Sequence, residues 1–67
     1  MTTADEHLNW IAEKANRVLL KFNEGLWSVM TILDDGHVIE VDNYTDLAEC
    51  TREMCDELCL YLKEKCV

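Results

Sequence analysis

Residues 26–42, LWSVMTILDDGHVIEVD, constrain this chain more than any other stretch. Asp35-Gly36 stands between two apolar runs, the short-range signature of a hairpin closed by a two-residue turn. Gly36 takes a positive φ without a Cβ penalty, and aspartate tolerates one better than most residues. With those two residues as the loop, Leu33 pairs with Val38, Ile32 with Ile39, Met30 with Val41 and Val29 with Asp42. Strand side chains alternate between faces. One face then carries Leu26, Ser28, Met30, Ile32, Ile39 and Val41. The other carries Trp27, Val29, Thr31, Leu33, Val38, Glu40 and Asp42. The charges fall on the second face, so the first is expected to face the core. Trp27, Val29, Leu33 and Val38 are then left wet, and an apolar surface of that size calls for a partner.

Amphipathic patterns flank the hairpin. Thr3 with Glu6 three residues on reads as a capping box, and Asp5 suits the positive end of a helix. Ala4, Leu8, Ile11, Ala12, Ala15, Val18, Leu19 and Phe22 form one stripe at helical period. A first helix over 4–23 follows, ended by Gly25. Trp10 lies nearly opposite that stripe, as a candidate binding anchor. A second helix is expected over 46–65, with Thr45 as N-cap and Lys63 and Lys65 in its last turn. Its central stripe is Leu47, Met54, Leu58 and Tyr61, with Cys50 at the margin. Ala48, Cys55, Cys59, Leu62 and Cys66 form another stripe about 90° away. The apolar arc is wider than the ~100° that one core contact needs. Its second half is therefore expected to meet a further partner.

Length and charge narrow the function classes. At 67 residues the chain forms one domain, 1–67, with a small core. No apolar run is long enough to span a membrane, and the start MTTADEHLNW does not read as a signal peptide. A cytoplasmic protein is the expectation. The net charge is −8, and residues 25–44 hold Asp34, Asp35, Glu40 and Asp42 with no lysine or arginine. Direct binding to nucleic acid or anionic membrane needs a basic patch and is disfavoured. A basic protein partner is favoured instead, chiefly through a faster on-rate.

The four cysteines contain no Cys-x-x-Cys and all fall on the second helix. Cys55 and Cys59 at i,i+4 lie about 5–6 Å apart at Cβ, too far for a disulfide. Packing in a core or interface is the expected role, with no metal and no cofactor. Asp34, Asp35, His37 and Glu40 gather carboxylates and an imidazole at the hairpin tip. Asp-Asp-Gly-His is first of all turn chemistry, and a hairpin tip has no pocket that excludes water. No catalytic residue is assigned, and the chain is not expected to be an enzyme.

The layout that joins these elements is α+β, a single small αββα domain. Two antiparallel helices pack on one face of a two-stranded antiparallel sheet, burying Met30, Ile32, Ile39 and Val41 against Leu8, Ala15, Leu19, Met54 and Leu58. In size, charge and layout such a chain resembles small phage- or prophage-encoded inhibitors, among them anti-CRISPR proteins and inhibitors of host transcription factors. The resemblance implies a negative surface, in the host cytoplasm, that occupies a host protein's nucleic-acid channel. The acidic candidates for that contact are Asp34, Asp35, Glu40, Asp42, Glu53 and Glu57. The apolar candidates, for a partner or a homodimer, are Trp10, Trp27, Val29, Leu33, Val38, Cys55, Cys59 and Leu62. A rival expectation is a small homodimeric structural or regulatory subunit whose acidity serves solubility alone.

Overall fold

A computed structural model describes residues 3–63. The element order is α1 (Ala4–Lys14), β1 (Arg17–Asn23), β2 (Leu26–Ile32), β3 (Val38–Tyr44) and α2 (Leu47–Leu62). The three strands form an antiparallel meander in the order β1-β2-β3. Both helices lie against one face of the sheet. The fold is α+β, but the two-stranded αββα layout is wrong, because a third strand occupies the second half of the expected first helix.

The capping box forms as expected: Thr3 is the N-cap and its hydroxyl accepts from the Glu6 amide at 3.3 Å. The helix then stops at Lys14. Ala15 turns to extended backbone, its amide still donating to the Ile11 carbonyl at 2.9 Å. The next amide, of Asn16, donates across to Ile32 at 2.8 Å and enters the sheet. Arg17–Asn23 then pairs without interruption along Leu26–Ile32. Val18, Leu20 and Phe22 alternate as a strand does, and Val18, Leu19 and Phe22 fit a helical stripe, so local period does not separate the two states. Tertiary gain does. An isolated two-stranded hairpin is marginal in water, and a third strand satisfies a row of β2 backbone groups. Gly25 does not end a helix. With Glu24 it forms the two-residue turn between β1 and β2, at φ 54° and 78°, the type I′ pattern.

The second correction is the register of β2 on β3. The tip is a three-residue loop, Asp34-Asp35-Gly36. Gly36 donates to the Leu33 carbonyl at 2.9 Å and Leu33 donates to His37 at 2.8 Å. That is a type I turn followed by Gly36 at φ 89°, the usual way to close such a loop. One extra loop residue moves every partner by one: Val29 faces Val41, Thr31 faces Ile39 and Ile32 faces Val38. The faces of β2 therefore exchange. Val29 and Thr31 are fully buried and Leu33 nearly so, whereas Met30 and Ile32 lie on the outer face, half-buried. On β3 the expected inward pair holds, with Val41 buried and Ile39 half-buried against the core. Near its end β3 carries one extra residue opposite Trp27–Val29, and Asn43 adopts φ 67° there. A bulge of this kind often sits at a sheet edge.

The core gathers Ile11, Val29, Leu33, Val41, Cys50, Met54, Cys55 and Leu58. Leu19, expected inside, is exposed, because it stands on the outer face of β1. α2 begins at Asp46, whose side chain accepts from the Glu49 amide at 3.3 Å, one residue after the expected cap Thr45. It closes on Lys63 in the left-handed region, with φ 58°. The continuation to 65 and Cys66 lie outside the described residues. Within the described residues, Cys55 and Cys59 of the second stripe of α2 are covered by the fold itself. The Cys55 thiol points at the His7 carbonyl of α1 at 3.7 Å. The packing of α1 against α2 covers that half of the cylinder.

Candidate protein-binding surfaces

Three regions emerge, and the acidic candidates divide among them. At the tip, Asp35 is tied into the fold. Its carboxylate accepts from the His37 amide at 2.9 Å and from the Tyr61 hydroxyl at 2.6 Å. The His37 ring stacks on the Tyr61 ring, 4.1 Å between centroids and 7° from parallel. The Tyr61 hydroxyl, then the His37 amide, hold the Asp35 carboxyl below the usual aspartate range, and the same bond raises the tyrosine. Helical period places Tyr61 in the core stripe, and no local signal in the sequence marks this tie. Only the loop geometry and the end of α2 bring the residues together. Asp34 stays exposed beside them.

The tie has a measurable consequence. A depressed carboxyl favours the folded state at neutral pH, and its contribution is lost as pH falls through the folded-state value. In a carbon-detected NMR titration, Asp35 should titrate at lower pH in the parent protein than in Tyr61→Phe. Equal midpoints in the two proteins would show that the hydroxyl does not hold the carboxylate.

A recess of about 190 Å³ lies next to the tip, lined by Lys14, Leu33, Asp34, Asp35, Tyr61 and Leu62. It falls short of the roughly 300–1,000 Å³ typical of small-molecule sites. Among the described residues no group of three or more His, Cys, Asp or Glu is placed to hold a metal ion. Burial pushes the Cys50 thiol up, away from the thiolate that a reactive cysteine needs. His7 is buried on α1 with Nδ1 2.8 Å from the Thr51 hydroxyl of α2. That hydroxyl also lies 3.1 Å from the Leu47 and Ala48 carbonyls. If it donates to one of them, it accepts from His7, and the pair is a polar clasp between helices.

The second region is the solvent side of the helix pair. Asp5, Glu6 and Glu13 on α1 and Glu49 and Asp56 on α2 are exposed there, with Arg52 among them. Glu53 is half-buried and accepts from the Tyr44 hydroxyl at 3.4 Å. The third region is the outer face of the sheet, where Glu40 and Asp42 are exposed along β3. Glu57 lies one turn from Glu53 and one from Tyr61, which meet Tyr44 and His37 at the two ends of β3, so it stands on the row of α2 that runs beside β3.

The apolar candidates divide as well. Val29, Leu33, Cys55 and Cys59 are buried in the home core. Trp10, Trp27 and Leu62 are half-buried against it. The Lys14 ammonium sits 5.7 Å from the Trp10 ring centre, within cation–π range. Val38 is exposed on the outer sheet face, as expected. No family model matches the chain, nor does any curated protein or solved structure. Among the described residues no helix is long and apolar enough to cross a membrane.

Proposed function

We propose that this chain is a non-enzymatic protein-binding module: an acidic inhibitor of the phage type that occupies the basic nucleic-acid-binding surface of a host protein, such as a transcription regulator or a CRISPR effector. The observation that carries the reading is the solvent side of the helix pair. Asp5, Glu6, Glu13, Glu49 and Asp56 stand there on the two helices, with Arg52 among them and Lys63 at the end of α2. Carboxylates presented in this way offer Arg and Lys the same acceptor oxygens as a phosphate backbone. A partner that covers them removes water and strengthens each pair, and the summed field speeds encounter.

The test is capture from a bacterial lysate at low salt. The retained protein should be basic, should be released by salt, and should be displaced by duplex DNA or RNA. Reversing Glu13, Glu49 and Asp56 to Lys should slow association by about ten-fold or more and flatten its salt dependence. Reversing Asp34, Glu40 and Asp42, on the tip and the opposite face, should do much less. Retention that is indifferent to salt, or equal for both reversals, sinks the reading.

A further inference from the structure

The two edges of the sheet are not alike. β3 is guarded: it carries exposed Glu40 and Asp42 and is broken by the bulge at Asn43. Charges and bulges are how sheet edges avoid pairing with other chains. β1 carries charges too, Arg17 and Lys21, but no bulge, and its pairing with β2 runs unbroken over Arg17–Asn23. Leu19, Leu20 and Phe22, on this one short strand, are 38, 42 and 59% exposed. Leu19 points outward and Leu20 and Phe22 point to the helix side. The helix-side row of β1, Val18, Leu20 and Phe22, is wholly apolar, while on the outer face Leu19 stands between Arg17 and Lys21; the free edge thus presents an apolar row that a further strand would cover.

We propose that β1 pairs antiparallel with β1 of a second copy, joining two domains into a six-stranded sheet across a two-fold axis at Leu20. The strand's own side chains select the occupant and the register. With Leu20 opposite Leu20, Val18 meets Phe22, Leu19 meets Lys21 and Arg17 meets Asn23, so no two like charges face each other. Sliding by two residues one way sets Lys21 against Lys21. Sliding the other way sets Arg17 against Lys21. Like charges directly opposite destabilise a strand pair. The favoured register also serves the aromatic end. Phe22 and Trp27 lie with ring centres 4.5 Å apart at the end of β1 where Phe22 is left largely exposed. The Val18 end is the one that packs on the core. The two-fold axis brings Phe22 of each copy beside the Val18 end of the other.

Sedimentation equilibrium of the full chain at about 100 µM, a level that detects micromolar association, should give a species of twice 7.8 kDa. Leu20→Lys sets two ammonium groups opposite each other at the axis and should weaken the dimer about ten-fold or more. Its circular dichroism should match the parent, because Leu20 is a surface residue of the single copy. Under mild oxidation Leu20→Cys should form a covalent dimer faster than Lys21→Cys or the parent. A single 7.8 kDa species would overturn the proposal. So would a dimer untouched by Leu20→Lys, one dissolved by Met30→Lys on the outer sheet face instead, or cross-linking that favours Lys21→Cys.

Discussion

Val29→Asp should leave the protein unfolded at room temperature, while Met30→Asp, one residue along, should leave it folded. Val29 is fully buried at the centre of the sheet's inner face, against the helices. A carboxylate there has no partner and is out of water, and burying an unpaired charge costs several kcal/mol even after relaxation. A domain of this length has about 3–10 kcal/mol of stability at ordinary values per residue. The cost therefore rivals the whole. Met30 is half-buried on the outer face, where an aspartate reaches water. Circular dichroism and a urea titration read the outcome. The reverse result, Met30→Asp unfolded and Val29→Asp folded, would restore the two-residue turn and the opposite sheet face.

Leu58→Ala should lower stability by about 2–5 kcal/mol, the usual cost of truncating a buried leucine. At about 4–8 °C per kcal/mol for a domain this small, the midpoint falls by roughly 10–40 °C. Leu58 has no exposed surface and belongs to the cluster with Ile11, Val29 and Met54. The matched control is Leu60→Ala on the same helix. Leu60 is 74% exposed, and its loss should change stability by no more than about 0.5 kcal/mol. Equal thermal shifts for the two variants would mean that α2 is rotated from the orientation described.

Local chemistry carried several features into the structure unchanged. Thr3 and Glu6 start α1, because a helix end must satisfy its own amides and a neighbouring hydroxyl does so wherever the helix packs. Met54 and Leu58 face the core from α2, because a long stripe at helical period has one apolar side to bury. Gly36 takes positive φ, because either reading of the turn demands it. Ile39 and Val41 point inward on β3, since its alternation leaves Glu40 and Asp42 outside. The acidic side chains are largely at the surface, but their grouping was not legible, since it depends on which face each element turns outward.

Three matters were decided only by tertiary structure. Residues 17–23 suit a helix or a strand by period alone. The unbroken ladder with β2 makes them a strand, and the turn at Glu24-Gly25 is the local signal of it. The tip loop could hold two residues or three. One residue sets which side of β2 is inside, and the buried Val29 and Thr31 beneath Met54 show the choice. Cys55 and Cys59 suit a partner's helix or the protein's own, and α1 covers them. Sequence by itself determined the groups whose partners lie within a few residues along the chain. The tertiary structure decided those whose best partner lies across the fold, because hydrophobic burial is non-directional and goes to whichever surface arrives.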